Sequence, residues 1–179
     1  MGEFKPLALS RVYGLLEPGP VVLVTTARGA RANVMAMSWL TPMEFEPPLV
    51  GCVIGGDHLT FELLRATKEC VIAIPTVELA AKVVGCGNVS GRKADKFARF
   101  RLTRLPAERV QAPLVGECYA NLECRIADAR LVRKYNFFVL RVVKAWIDPS
   151  RKRPRTLHHM GRGVFMVGGR ILRLPSKMK

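Results

Sequence analysis

Four small polar residues lie beside apolar runs within the segment Val21–Trp39, and they are candidates for binding a ligand. Thr25 and Thr26 end the first apolar run, whereas Asn33 and Ser38 flank the second. This pattern predicts two strands joined by a basic turn, with the polar groups gathered near one end of the hairpin. Such a site suits a flat apolar ligand that carries a polar or phosphorylated tail. The same residues also fit a core hairpin with ordinary turn chemistry.

A second polar site is expected at the start of a helix over His58–Glu69. Gly55 and Gly56 end the preceding strand, Asp57 is positioned to cap the helix, and Thr60 falls in its first turn. A helix start presents free backbone N–H groups, which bind anions. The alternative is that the two glycines form only a turn.

Basic residues follow Ser90 in the segment Cys86–Phe100. Ser90 is positioned to cap a helix whose first turn carries Arg92, Lys93 and Lys96. Positive side chains at a helix N-terminus oppose the helix macrodipole, so they need either full solvation or an anion to meet them. The segment therefore indicates either an anion site or a solvated basic face.

The elements that must position these residues are mostly strands, and they predict a mainly β protein with inserted helices. Val115–Ile126 alternates apolar and polar residues like a half-exposed strand, and Tyr135–Ile147 is a long strand with apolar residues on both faces. Short connections favour antiparallel pairing, so we expect one closed or partly open β-barrel domain over residues 1–179. The other expected elements are strands at Leu49–Ile54 and Cys70–Ile74, a helix at Leu7–Leu16, a loop at Thr41–Pro48, and a final hairpin of Val164–Val167 with Arg170–Leu174.

Composition narrows the class of protein. The 179 residues are 49% hydrophobic with a mean hydropathy of +0.14, which excludes a disordered chain, and no apolar run is long enough to span a membrane. The first 20 residues lack an uninterrupted apolar core, so we expect a cytoplasmic protein. Five cysteines without Cys-x-x-Cys spacing indicate neither a metal site nor a disulfide framework. The net charge of +15 suits a polyanion, an acidic protein partner or a phosphorylated ligand.

Taken together, these segments resemble the flavin reductase-like FMN-binding split barrels, and in particular their flavoredoxin branch. The resemblance extends over nearly the whole chain and depends on the order of several short motifs. These are Pro20–Thr26, the G-x-x-x-N-x-x-x-x-S-W set Gly29, Asn33, Ser38 and Trp39, the pair Pro47-Pro48, His58 with Thr60, and Ser90 with Asp95-Lys96-Phe97.

The resemblance implies a six-stranded Greek-key barrel that forms a homodimer and binds one FMN per subunit near the dimer interface. It implies that Asn33, Ser38 and the backbone between them line the flavin, and that Lys96 lies at the ribityl phosphate. His58, Thr60 and Ser90 are implied to lie around the same phosphate, and the backbone along the flavin is that of Val34, Met35, Ala36 and Met37. From the sequence pattern itself, Thr25, Thr26 and Arg92 are further candidates for binding the cofactor, and Cys86 is either a flavin contact or a small residue at a helix exit. Redox chemistry would then belong to the cofactor, with no catalytic triad required.

The implied function is electron transfer through FMN, from a ferredoxin-like protein or NAD(P)H to an acceptor. Many nicotinamide-using members of the family resemble each other in having an Asp-His pair at the start of the strand that corresponds to Tyr135–Ile147. This chain has Asn136 and Phe137 there, which weakens the expectation of direct reduction by NAD(P)H. His158 and His159 are candidate substrate contacts, and the basic loop Arg151–Arg155 is a candidate docking rim for an acidic donor.

Two other classes of function fit the sequence. A module of the same fold can bind flavin or haem without redox activity. A basic nucleic-acid-binding barrel would use the positive charge, but such barrels stack bases on exposed aromatic residues, and only 7% of this chain is aromatic. Nucleic acid is therefore the less favoured partner.

Overall fold

The computed structural model describes residues 19–170, so the predicted helix Leu7–Leu16 and most of the predicted strand Arg170–Leu174 lie outside the described residues. The strands are β1 (Val22–Arg28), β2 (Arg31–Met37), β3 (Leu40–Glu44), β4 (Leu49–Val53), β5 (Glu69–Ile74), β6 (Arg104–Leu105), β7 (Leu114–Val115), β8 (Ala120–Asp128), β9 (Phe137–Ile147), β10 (Leu157–His159) and β11 (Phe165–Val167). The helices are α1 (Leu59–Thr67), α2 (Ala80–Asn88), α3 (Lys96–Arg99) and α4 (Val132–Tyr135), with a 3₁₀ turn at Val77–Leu79 before α2.

Seven strands form one antiparallel sheet in the order β2-β1-β5-β8-β9-β4-β3. Strands from both halves of this sheet contribute to one buried cluster. Val22 and Val24 of β1 share it with Cys52 of β4, with Ile54 just beyond β4, and with Phe138 of β9. The sheet therefore wraps around an apolar interior, and the predicted barrel class is confirmed. The mainly β composition with a few inserted helices is likewise confirmed.

The predicted hairpin is present as β1 and β2, and both strands extend closer to the turn than expected. Gly29 occupies the left-handed region with φ of 58°, which lets the chain reverse between Arg28 and Arg31. Alternate residues of the hairpin face opposite sides. One face contributes to the barrel interior, and the other packs in a second cluster with Val83 of α2 and Phe97 of α3. β2 stands at one end of the sheet order, so β1 is its only strand neighbour among residues 19–170.

The structure corrects the prediction that Thr41–Pro48 is a loop. Leu40–Glu44 forms β3, and the connection to β4 is confined to the residues after Glu44. β3 is the other edge of the sheet, and its residues Thr41–Glu44 are exposed. Pro42 is tolerated there because an edge strand can place a residue without an N–H on its unpaired side.

The C-terminal part of the described chain attaches a small hairpin to the barrel. β11 pairs with β10, and the backbone N–H of Val21 donates to the Leu157 carbonyl at 2.8 Å. The strand that follows Val164, β11, thus pairs with a strand that precedes it in the sequence. The predicted partner of Val164–Val167, the segment Arg170–Leu174, lies mostly outside the described residues. The hairpin brings Phe165 against the face of β1 and β2 that α2 covers.

Candidate functional site

A groove runs along the outer edge of β2, between that strand and helices α1 and α2. It consists of two adjoining depressions of about 240 and 280 Å³, which share Ala36 and Gly87. Their combined size falls in the range of about 300–1,000 Å³ that is typical of small-molecule sites. We call the first the polar half; it is lined by Asn33, Met35, Ala36, Asp57, His58, Leu59, Thr60, Cys86, Gly87, Val89, Ser90, Gly91 and Lys96. The second is the apolar half, lined by Val21, Ala36, Met37, Ser38, Val83, Val84, Gly87, Asn88, His159, Gly163 and Phe165.

Helix α1 begins at the polar half. His58 is its N-cap residue and Asp57 is not, because Asp57 lies one residue earlier and its side chain is 88% exposed. The predicted cap is therefore wrong. No side chain of the described residues caps this helix, which leaves first-turn N–H groups for water or an anion. Thr60 lies in that turn and is buried.

A buried hydrogen bond joins β2 to α1 at the floor of the polar half. The Asn33 Nδ2 amide donates to the Thr60 hydroxyl at 2.8 Å. The chain passes very close on the other side, because a Cβ atom on Gly91 would lie 1.9 Å from Asn33 Oδ1. Asn33 thereby fixes the relative position of three segments that are distant in the sequence.

Lys96 reaches the polar half from α3 and is buried, with 4% of its surface exposed. Its Nζ donates to the Cys86 carbonyl at 2.9 Å, and no carboxylate within residues 19–170 forms an ion pair with it. Burial lowers the pKa of Lys96 from its ordinary value, and the neighbouring Cys86 thiol opposes that shift. A buried ammonium group without a counter-ion is unfavourable, so the geometry favours a site that receives an anion.

The turn before α3 differs from the predicted helix start. Within residues 19–170, Ser90 Oγ accepts only from the Arg92 backbone N–H, at 3.3 Å, and the residues that follow Ser90 form turns. The helix begins after Asp95, whose carboxylate accepts from the backbone N–H groups of Phe97 and Ala98. Asp95 is the stronger cap because it satisfies two N–H groups at once. The prediction that Ser90 caps this helix is therefore wrong, although Ser90 does line the polar half.

Several predicted residues lie away from the groove. Arg92 forms an exposed ion pair with Glu62 at 2.8 Å on the outer side of α1. Thr25 donates its hydroxyl to the Pro113 carbonyl at 2.6 Å. Thr26 Oγ1 is buried and has no hydrogen-bond partner in the described part of the chain. Val34 packs in the cluster beneath α2, so only its backbone shares the edge of β2.

Cys86 lines the polar half as a neutral thiol. It is buried, and burial raises its pKa to about 11, although the nearby lysines Lys96 and Lys82 oppose the shift. The thiolate is the reactive form of cysteine, so this environment does not activate Cys86 as a nucleophile.

The apolar half is closed by the C-terminal hairpin. The rings of His159 and Phe165 lie 5.3 Å apart, and both residues line this half. His158 points elsewhere: its Nε2 lies 3.1 Å from the Thr156 hydroxyl. The structure therefore brings one histidine of the pair to the groove.

Comparison with known proteins decides the family. A sequence model described as the flavin reductase like domain matches residues 15–167. This chain belongs to the flavin reductase-like family. An uncharacterized protein of Escherichia coli, YddH, is 34% identical over an alignment of 184 residues, gaps included. The alignment covers 95% of this chain and 97% of YddH.

Two solved structures of the family share the fold. The flavoredoxin of Desulfovibrio vulgaris superposes with a TM-score of 0.85 at 25% identity, covering 96% of this chain and 97% of the other. The FMN-binding domain of a flavin reductase-like enzyme from Shewanella baltica gives 0.80 at 26% identity, covering 94% and 96%. The residues matched by the family model, 15–167, include every residue that lines the groove.

In this flavin reductase-like protein, the two halves of the groove differ in chemistry. The polar half offers an ammonium group, hydroxyls and a helix start, whereas the apolar half offers aliphatic side chains and an aromatic ring. Residues 19–170 contain no cluster of histidine, cysteine or acidic side chains that would hold a metal ion. No helix in the same range is long and apolar enough to cross a membrane.

Several lining residues could not be predicted from the sequence, because their position depends on packing between distant segments. Val83 and Val84 belong to α2, and Phe165 belongs to β11. The apolar face of α2 is visible in the sequence, but nothing local shows that the hairpin of β10 and β11 folds back against it. Gly91 was likewise missed, because its need for a bare Cα arises from Asn33, 58 positions earlier.

Proposed function

We propose that this protein binds FMN in the groove along β2 and acts as a flavin-dependent oxidoreductase. The observation that carries the proposal is Lys96, a buried ammonium group at the polar half with no carboxylate partner in the described part of the chain. A phosphate group would supply the missing negative charge. Both solved relatives described above bind or are named for flavin, which supports FMN as the ligand.

The residues present fit the two ends of FMN. Lys96, Thr60, Ser90 and the uncapped start of α1 would hold the phosphate. The aliphatic wall of the apolar half would cover the ring system and exclude water from it. His159 stands at that wall, where a substrate would approach.

FMN, when bound, supplies hydride and electron transfer. The chain's own contribution is to bind and orient the cofactor, and to keep bulk water from its ring. The Cys86 thiol stays protonated and therefore adds no competing nucleophile.

The first test is the absorbance spectrum of the purified protein, followed by titration with FMN and riboflavin. We expect a yellow protein that bleaches on reduction and binds FMN more tightly than riboflavin. Equal affinity for the two flavins would contradict the phosphate assignment. A haem spectrum, or a colourless protein that binds oligonucleotides in a salt-sensitive manner, would favour the alternative classes.

Replacing Lys96 tests the residue that carries the proposal. Lys96→Met keeps the buried aliphatic chain and removes the charge, so FMN binding should weaken by about 1.5 to 3 kcal/mol, the range for a hydrogen bond to a charged group. Riboflavin binding should change much less, because riboflavin has no phosphate. Lys93→Met is the matched control, since Lys93 is exposed on the same segment and lines neither half of the groove.

We also propose that the electron donor is an acidic protein of the ferredoxin type. In the basic loop, Arg151 pairs with Asp148 and Arg155 pairs with Glu78. Lys152 and Arg153 are exposed and form no ion pair within residues 19–170. Two unpaired charges on a loop near the hairpin of the apolar half would speed the approach of a negative partner.

Stopped-flow reduction of the bound flavin distinguishes the donors. Reduced ferredoxin should react at a rate that falls with salt, and changing Lys152 and Arg153 to glutamine should slow association without altering FMN affinity. Rapid reduction by NADH or NADPH alone would identify a nicotinamide donor instead.

A further inference from the structure

A second cavity lies on the opposite side of α1 from the groove. It holds about 490 Å³ and is formed by the last turns of α1, the end of β8, helix α4 and the start of β9. It shares no lining residue with either half of the groove. The segments that form it are remote in sequence from the basic loop.

The floor of this cavity is apolar. Phe138 is fully buried, Val132 is 5% exposed, and Phe61 meets Phe138 edge to face with ring centroids 5.5 Å apart. Phe61 and Ile126 are partly buried and form the accessible apolar surface above Val132 and Phe138.

Three basic side chains line this cavity around its apolar floor. Arg65 lies in the last turn of α1, Lys68 is the residue that ends α1, and Arg133 lies on α4. Within residues 19–170, none of the three forms an ion pair, and no acidic residue lines the cavity.

The neighbouring acidic residues are already engaged. Glu62 on α1 pairs with Arg92 at 2.8 Å, and Asp128 at the end of β8 pairs with Arg130 at 2.6 Å. The three cations are exposed and have no acidic partner within residues 19–170, and the Arg65 guanidinium lies over the Phe61 ring, 5.7 Å from its centroid. A ligand that satisfies both the cations and the apolar floor carries a negative group at one end and a hydrocarbon body at the other.

We propose that this cavity is a second ligand site and that it binds a small amphipathic carboxylate. The hydrocarbon body lies on Phe61 and Ile126, which are partly buried and line the cavity, and the carboxylate meets Arg65 and Arg133, whose guanidinium groups match its two oxygens. Lys68 adds positive charge at the same mouth. This inference is independent of the proposed function, because no residue of the flavin groove takes part in it.

Octanoate is the probe, and amide chemical-shift mapping by NMR locates its binding. Titration at millimolar concentration should shift amides of α1, α4 and the start of β9 in a saturable manner. Octanol has the same chain without the charge, and acetate has the charge without the chain, so both should bind much more weakly. Octanoate shifts that do not saturate, or that map to the flavin groove, would overturn the proposal.

Variants then assign the binding to this cavity. Arg133→Gln and Arg65→Gln should each weaken octanoate about three- to tenfold, the effect of losing one charge-assisted contact that is partly exposed to water. Lys134→Gln is the matched control, because Lys134 is on the same short helix and its Nζ lies over the Tyr135 ring instead. Ala129→Trp at the exposed rim should block the cavity. Octanoate affinity that none of these cavity variants changes would also overturn the proposal, whereas a failure to bind FMN would not affect it.

Discussion

Glu123 is a buried carboxylate that holds the segment before β7 against β8. It accepts from the backbone N–H groups of Glu108 and Arg109 and from the indole Nε1 of Trp146 at 2.7 Å. Burial alone would raise the pKa of Glu123, but these hydrogen bonds outweigh burial and lower it below the ordinary value of 4.5. The charged form is thus the one that the folded protein stabilises.

Glu123→Gln should lower the free energy of unfolding at neutral pH by about 1.5 to 3 kcal/mol, because an amide replaces a charged acceptor. In the unchanged protein, this contribution is fully present above pH 4.5 and is lost as the pH falls through the lowered folded-state pKa. Urea unfolding at several pH values, followed by tryptophan fluorescence, measures both effects. Glu108→Gln is the control, since its exposed ion pairs contribute little.

Two adjacent threonines on β1 give opposite predictions. Thr26 Oγ1 is buried and has no hydrogen-bond partner within residues 19–170, so Thr26→Val removes an unsatisfied group and should stabilise the protein by about 1 kcal/mol. Thr25 donates to Pro113, so Thr25→Val should destabilise it by a similar amount. Thermal unfolding of both variants decides the matter. Destabilisation by Thr26→Val would show that its hydroxyl has a partner.

The turn at Gly91 lies close against β2, and this contact maintains the geometry of the polar half. A Cβ at Gly91 would overlap Asn33 Oδ1 at 1.9 Å, whereas a Cβ at Gly87 meets Ala36 at an ordinary 3.8 Å. Gly91→Ala should therefore cost about 1 to 3 kcal/mol of stability and disturb the bond between Asn33 and Thr60. Gly87→Ala is the matched control for stability. Equal melting temperatures for the two variants would contradict this account of the groove.

The elements also show how far the sequence alone can predict this protein. The hairpin of β1 and β2 and the barrel class followed from apolar runs and short connections, because those patterns report local burial. The start of α3 could not be predicted from such patterns, because Ser90 and Asp95 are both good caps and tertiary packing selects Asp95. β3 was missed because Pro42 normally argues against a strand, and only the sheet order shows that this strand is an edge.

The candidate site could be predicted only in part from the sequence. His58, Thr60, Ser90 and Lys96 lie on three segments, and the structure brings all of them to the polar half. Arg92 has a similar sequence context but turns outward to Glu62. The direction of a long side chain on a turn depends on its neighbours in space, so the sequence could not separate Arg92 from Lys96.

For the whole molecule, exposed apolar side chains predict a homodimer. Phe45 is 80% exposed beside the edge strand β3, and Ile147 is 70% exposed at the end of β9. Burying such side chains against a second copy is favourable. Sedimentation at micromolar concentration should show a dimer, and Phe45→Glu should shift it toward the monomer. Glu46→Gln, one residue away, should leave the association unchanged; a wild-type monomer that retains FMN would contradict the prediction.

The position of β2 at the end of the sheet has a consequence for the protein when its groove is empty. An edge strand offers unpaired backbone groups to any other strand, and native proteins commonly cover such edges with a helix or loop to avoid aggregation. If FMN lies along this edge, the cofactor also protects it from intermolecular pairing. We therefore expect flavin-stripped protein to scatter more light on standing at low salt than loaded protein, and added FMN to delay the onset of scattering.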